Sequence, residues 1–251
     1  PTFGTALIAS FDIPSLALEY ANLWGGSGTS VAYGLDFDGK DIWVVGGTES
    51  HDLTAVDCPA PASMAGVHHT YVNGGPDQNF RRCDGFILAL NPITFSLEYG
   101  TLMGGEYYDM LLDVCHDGEQ IYITGESRST GVFATNDLDP DLYYQPLNPN
   151  VNRRDAILLA LDKTAQAPVV RWNTAFGGTE SERPWSVAVS ENELFVVGAT
   201  SSEQWDGFPL QDFDPSSLED FYQDFNMGGD GWVGFLEYYD FEISLNYLTG
   251  F

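Results

Sequence analysis

Positive charge is what this chain most lacks. Nine Lys and Arg stand against 37 Asp and Glu, a formal net charge of −28 over 251 residues. Nucleic-acid binding draws on clustered Lys and Arg to neutralise phosphates, so a composition this acidic excludes it as a main role. An anionic membrane surface would likewise repel the chain. The only basic pairs, Arg81-Arg82 and Arg153-Arg154, each sit just before an expected strand. Long apolar runs are missing too, and none approaches the roughly 18 residues of a membrane-spanning helix. Helical periodicity is scarce, its best stretch being 216–224 within a loop. The chain opens Pro1-Thr2-Phe3-Gly4 with no initiator Met or basic leader, as expected of a trimmed product or a piece of something longer.

What is present is the material of a folded core. Hydrophobic residues make up 43%, aromatic residues 14% and charged ones only 18%, which excludes a disordered acidic tail. Gly (27) and Pro (13) are plentiful enough for many short strands joined by turns. The carboxylate excess has three ordinary explanations: solubility in salty surroundings, extracellular calcium, or a basic partner. Of the three cysteines, Cys58 and Cys83 bracket one long polar loop and Cys115 lies in an apolar stretch. A Cys58–Cys83 disulfide would close a loop of about 25 residues, worth roughly 3 kcal/mol of unfolded-chain entropy, and would imply an oxidising, extracytoplasmic location. Cys115 reads as a small apolar residue, because no recognisable motif brings a His to it.

An internal repeat dominates the sequence. Ser30-VAYGLDFDGKDIWVVGGTE-Ser50, Asp109-MLLDVCHDGEQIYITGESR-Ser129 and Glu182-RPWSVAVSENELFVVGATS-Ser202 align with little adjustment. Downstream of each comes a second shared run, starting at Asp84, Asp155 and Asp230. An aromatic run ending in Gly-Gly follows, closing at Gly26, Gly105 and Gly178. Tyr20, Tyr99, Trp172 and Tyr247 are spaced 79, 73 and 75 residues apart, and Gly46, Gly125 and Gly198 keep the first two of those offsets. Each unit holds four strand-like runs, A to D. Asp38-Gly39 and Asp117-Gly118 mark short A–B hairpins, and Glu191-Asn192 is the weaker counterpart, with Asn able to take a left-handed backbone. Four antiparallel strands repeated at a fixed period predict an all-β chain of propeller blades.

The Gly-Gly element, the A–B hairpin ending in Tyr122-Ile123-Thr124-Gly125-Glu126-Ser127, and the Asp-led C run together resemble the bacterial β-propeller repeat called SBBP. The third unit is the most similar, with Thr200-Ser201-Ser202, Phe208-Pro209, Phe221-Tyr222-Gln223 and Gly228-Gly229-Asp230. The likeness spans nearly the whole chain. The first unit departs by its Cys-bracketed loop, and the second lacks the Phe-Pro and Gly-Gly elements of the C-run approach. The resemblance implies secreted or cell-surface bacterial proteins, often very large, and carries no catalytic residues over.

Register divides the chain into 1–26, the outer two strands of a preceding blade, and three blades at 27–105, 106–178 and 179–251, all one propeller of about three and a half blades. The opening pair leaves a C strand without its inner neighbour, an edge that invites pairing. Further blades of the same polypeptide, a second such chain, or strands from a partner would complete the ring.

Candidate sites fall mainly in the long B–C loops, since loops on a rigid scaffold are where binding is usually placed. Asp137, Asp139 and Asp141 in one loop, with Asp212, Asp214, Glu219 and Asp220 in another, are the candidate ligands for calcium, which takes six to eight hard oxygens; the spacing is not that of an EF-hand. Tyr143, Tyr144, Trp205, Phe221 and Tyr222 are the candidate aromatics for contacts with glycans or proteins, with loop anchoring as the plainer role. Asp84, Asp155 and Asp230 read as turn caps. Asp36 and Asp113 lie at non-equivalent repeat positions and either could face a central channel. His51, His68, His69 and His116 lack zinc-ligand spacing, although His68-His69 could bind a metal. No nucleophile elbow, P-loop or dinucleotide fingerprint is present. The expectation is a non-enzymatic extracellular bacterial module with a structural, adhesive or binding role in a larger surface or secreted assembly. The alternatives are a secreted carbohydrate-active enzyme with channel carboxylates, and a filament or surface-layer subunit joined by strand complementation.

Overall fold

The structure, a computed structural model, describes residues 4–50, 52–53, 83–129, 145–163, 169–191, 193–202, 230–239 and 242–250, the last two segments and residue 169 by backbone alone. The described residues form fourteen strands and no helix. β1 (Ala6–Phe11) and β2 (Leu18–Trp24) make a two-stranded sheet. β3 (Ser30–Phe37), β4 (Ile42–Thr48), β5 (Asp84–Leu90) and β6 (Leu97–Met103) make the first four-stranded one. The second comprises β7 (Asp109–His116), β8 (Gln120–Ser127), β9 (Asp155–Asp162) and β10 (Val169–Phe176). The third comprises β11 (Glu182–Ser190), β12 (Glu193–Thr200), β13 (Asp230–Tyr239) and β14 (Glu242–Gly250). Every pairing is antiparallel between consecutive strands. The all-β expectation holds, and the sheets stack in a propeller-like way: β7 lies against β3, β4 and β5, and β11 against β7, β8 and β9. No closed ring is seen among the described residues.

Equivalence between units extends to their irregularities. β3, β7 and β11 each carry one unpaired residue against their partner strand, at Tyr33, Leu112 and Trp185. These positions keep the 79 and 73 offsets. The four outer pairs bulge at Glu19, Glu98, Arg171 and Asn246, again in register. A bulge bends and twists its strand locally, so repeating it at one place gives each sheet the same curvature. The A–B turns behave as their Asp-Gly pairs require: Gly39 and Gly118 have φ of 87° and 108°, and Oδ1 of Asp38 and of Asp117 accepts two backbone N–H groups of its turn. In the third unit the left-handed residue is Glu191, with φ of 55°. The expectation had placed it at Asn192, which lies outside the described residues; Glu191 occupies the repeat position of the two turn glycines.

The core lies between sheets. Trp43, Val45 and Ile87 of the first sheet meet Leu111, Val114, Ile123 and Ile157 of the second. Tyr122, Leu158 and Trp172 of the second meet Val187, Leu194 and Val196 of the third. β4 and β8, flanked on both faces, are almost wholly buried, as their continuous apolar runs predict. β3 approaches β7 so closely at Gly34 that a Cβ there would meet the Asp113 Cα at 2.6 Å, a distance no side chain tolerates. β1 and β2 cover only the outer part of the first sheet, through Ala6 and Trp24 against Phe86, and Tyr20 stacks on Phe95 at 4.1 Å.

That partial cover explains a difference within the repeat. Val114 and Val187 are each 4% exposed, packed on the sheet before them, whereas Leu35, at the same position, is 57% exposed. Two strands precede β3 where four precede β7 and β11. Val114→Ala is therefore expected to cost about 1–3 kcal/mol and Leu35→Ala less than about 0.5 kcal/mol, read from urea melts of the two variants. Equal losses would show that the β3 face is covered as the β7 face is.

Candidate functional site

Among the described residues, one end of the sheets gathers most of the buried polar side chains, and the strand register puts them there. The first residue of each A strand (Ser30, Asp109, Glu182) is buried beside the last residue of its B strand (Thr48, Ser127, Thr200) and the serine two residues on (Ser50, Ser129, Ser202). In the first unit the Ser30 and Thr48 hydroxyls are 2.8 Å apart. In the second, the Asp109 carboxylate accepts from the Ser127 and Ser129 hydroxyls. In the third, Oε1 of Glu182 accepts from Thr200 at 2.7 Å and Ser202 at 2.6 Å.

Each triad clamps the linker that enters from the preceding sheet. Gly26 and Gly28 N–H donate to Ser50 Oγ; Gly105 and Tyr107 donate to Asp109 and Ser129; Gly178 and Glu180 donate to Glu182 and Ser202. This is why the Gly-Gly pair recurs. A Cβ on Gly104 would collide with the Asp84 carboxylate, and one on Gly177 with that of Glu182. Burial raises the carboxyl pKa of Asp109 and Glu182, while the donors around each pull it back down.

Asp84 and Asp155 open the C strands at this same end, 2% and 1% exposed. Asp155 accepts the backbone N–H of Asn148, and its Oδ1 has no hydrogen-bond partner. Burial, with the nearby Glu182 charge, pushes its carboxyl up to about 7. Asp230 opens β13. Cys83 is a buried free thiol with its Sγ 3.9 Å from the Asp84 carbonyl; Cys58, its expected bridging partner, lies outside the described residues. The Cys115 thiol is pushed up to about 12 by burial.

The two A-strand carboxylates make contacts between sheets. Asp36 Oδ2 lies 2.6 Å from His116 Nδ1. Asp113 Oδ2 accepts from the Ser186 hydroxyl at 2.5 Å and the Val187 N–H at 3.0 Å. The second contact runs along the repeat itself, since Gly34, Asp113 and Ser186 are equivalent positions on neighbouring strands. The calcium candidates Asp137, Asp139, Asp141, Asp212, Asp214, Glu219 and Asp220, the aromatics Tyr143, Tyr144, Trp205, Phe221 and Tyr222, and His51, His68 and His69 all lie outside the described residues. Among the described residues no three His, Cys, Asp or Glu side chains are grouped to hold a metal ion.

Absent from the sequence expectations is a group of arginines between the second and third sheets. Arg128 follows β8 and Arg154 precedes β9, so they sit across from each other beyond the last pair of that ladder, Ser127 and Asp155. Both guanidinium carbons approach the Tyr108 ring, at 6.0 and 5.5 Å. Arg183 comes from β11, its guanidinium carbon 4.5 Å from the Trp185 ring centroid. Between them sits Glu126, with a fully buried side chain: Arg154 Nη1 reaches both its oxygens at 3.1 and 3.2 Å, and Arg183 Nε lies 3.8 Å away. The three arginines, with Ser181, Thr200 and Trp185, line a cavity of about 260 Å³. The signal was in the alignment: Glu126 stands where the other units have Gly47 and Ala199, and Arg154 where they have Cys83 and Gly229.

No family model matches the chain, and no curated protein matches it. Among solved structures it is similar to a chimeric apocarotenoid oxygenase at 10% identity, with 97% of this chain and 44% of that one covered and a TM-score of 0.36. A substituted apocarotenoid oxygenase of Synechocystis matches at 9% identity, over 97% and 44% of the two chains, with the same TM-score of 0.36. The chain thus spans less than half the length of these structures. At that distance the likeness says nothing of its chemistry.

The raised carboxyl of Asp155 gives a pH prediction. A folded pKa above the unfolded value means that the native state holds a proton the unfolded chain has released. Its contribution to stability is therefore present below about pH 4 and lost as pH rises through about 7. Asp155→Asn removes the titration while leaving an acceptor for the Asn148 N–H. The variant is expected to melt about 2–4 °C above the parent at pH 8, with the gap shrinking at pH 5. An unchanged gap between the two pH values would show that Asp155 does not titrate in this way.

Proposed function

We propose that this chain is an extracellular, bacterial propeller module that serves as a scaffold and contact surface within a larger surface or secreted assembly. The observation that carries the reading is the uncovered face of β3. Val31, Tyr33, Leu35 and Phe37 alternate along it, 36%, 46%, 57% and 48% exposed. Leu7, Phe11, Leu18 and Leu23 of the two-stranded sheet are 57–62% exposed as well. In the other two units the equivalent A strands are packed against inner strands of the sheet before them. The occupant with matching shape is thus an A–B strand pair of the same repeat, and further blades of the same polypeptide supply it. Such a pair would bury the stripe and also satisfy the open edge of β1, which pairs only with β2 among the described strands. Completed in this way, the sheets form a propeller of SBBP type. The acidic loops would then be its outward contact surfaces, for proteins, for glycans and, at their carboxylates, for calcium.

Lys40 reports on the location. It lies in the A–B turn at the end of β3, with its side chain 84% exposed. Treating intact source cells with a membrane-impermeant amine cross-linker, followed by mass spectrometry, is expected to label Lys40 and to join it to a peptide of a neighbouring repeat. Labelling only after lysis would refute the surface location. Joining to an unrelated protein would replace further blades by a partner chain.

A further inference from the structure

The geometry points to a ligand site in the arginine cavity between the second and third sheets: Arg128, Arg154 and Arg183, with the Trp185 ring beside them, bind the carboxylate of an acidic sugar. This goes beyond the scaffold reading, which would survive if the cavity bound nothing.

Three observations carry it. The first is concentration of charge. The whole chain has nine Lys and Arg, and three of them line one cavity in a molecule of net charge −28. Among the described residues, two carboxyls lie beside those cations. Glu126 lies between Arg154 and Arg183, and Glu182 lines the cavity with its oxygens already held by Thr200, Ser202 and the Gly178 N–H. Burial, and then the neighbouring Arg154 cation, pull the Arg128 pKa down, so an incoming anion would relieve a repulsion already present.

The second is departure from the repeat. Glu126 replaces Gly47 and Ala199; Arg128 replaces Glu49 and Ser201; Arg154 replaces Cys83 and Gly229; Arg183 replaces Val31 and Met110. The other units build the same strands without these charges, so the fold does not need them. A carboxylate buried in a strand is costly, and Glu126 is tolerable there only because the arginines neutralise it. In turn it holds Arg154 and Arg183 in place and leaves guanidinium N–H groups for a second anion. An arginine fork matches a planar carboxylate with two parallel hydrogen bonds.

The third is the character of the walls. Trp185 is 54% exposed, an apolar face beside the cations, and Ser181 adds a hydroxyl. A sugar ring presents apolar C–H bonds on one face and hydroxyls at its rim, which this combination suits. The cavity, about 260 Å³, holds one ring rather than a drug-sized molecule, for which pockets run from roughly 300 Å³ upward.

The test is calorimetric titration of the 251-residue protein with sodium glucuronate, glucose and sodium sulfate, alongside Trp fluorescence. Glucuronate is expected to bind at millimolar concentration or below, more weakly as salt is added, and glucose not detectably. Arg183→Gln is expected to weaken glucuronate about tenfold or more, and Trp185→Ala about fivefold. Trp185 is largely exposed, so its variant keeps the test usable if the arginine variant fails to fold. Equal binding of glucose, no binding of glucuronate, or indifference to both variants overturns the site. Sulfate binding as tightly as glucuronate overturns the sugar assignment.

Discussion

Stacking one sheet on the next forces a piece of irregular backbone into the joint, and its N–H groups must find partners where water is excluded. Each joint meets that demand in the same way. The linker leaving one sheet turns on two small residues, and its amides donate to the serine two residues past the B strand, joined in the second and third units by the acid that opens the A strand. An unpaired buried amide costs on the order of 1–3 kcal/mol, so the clamp decides whether the sheets can lie face to face at all. Backbone bonds lock the same joint from behind: the N–H groups of Ser30, Asp109 and Glu182 donate to the carbonyls of Gly4, Cys83 and Arg154, one residue before or at the approach to each C strand. The repeat is thus conserved within the chain as a hydrogen-bond geometry more than as a sequence.

Within that geometry the chemistry drifts. Ser30 is neutral, Asp109 is a short acid and Glu182 a longer one, yet each serves its clamp. The acids bring stronger, charge-assisted acceptance at the cost of desolvating a carboxylate, and the hydroxyls of the B strand offset that cost. Asp155 shows what happens when the compensation is incomplete: one oxygen is satisfied and the other is not, and its pKa climbs toward neutrality. Most acids among the described residues are not buried, so the few at the joints stand out by what surrounds them rather than by their number.

Much of this architecture was legible in the sequence because a repeat tests itself. A lone Gly-Gly or Asp-Gly is weak, but offsets of 79, 73 and 75 held across separate elements leave little room for another register. The bulges at Tyr33, Leu112 and Trp185 were not legible, since no residue type marks them; only the pairing reveals the extra residue. Nor was the left-handed Glu191, which takes the glycine position of the other two turns. The sequence lets either Asp36 or Asp113 face a central channel but does not name their contacts. Their partners, His116, the Ser186 hydroxyl and the Val187 N–H, come from the next sheet 73 to 80 residues away, beyond the reach of any local pattern.

The arginine group was missed for a different reason, and the reason is instructive. Searching a repeat for sites by what recurs selects the residues that hold the fold together, such as the Asp at each C-strand start and the serine of each clamp. Function placed on a repeated scaffold has to appear as a break in the repetition, because a feature that every unit shares is already explained by the packing they share. Glu126 breaks it most sharply, a charged side chain in a buried strand where its counterparts have little or no side chain at all. Such a residue cannot have been accommodated alone: its charge requires Arg154 and Arg183, and their reach requires the β11 strand to lie over β8 as it does. Four departures at a single joint, in a chain so short of cations, are more than the joint needs in order to close, and three of the four are arginines that line one cavity.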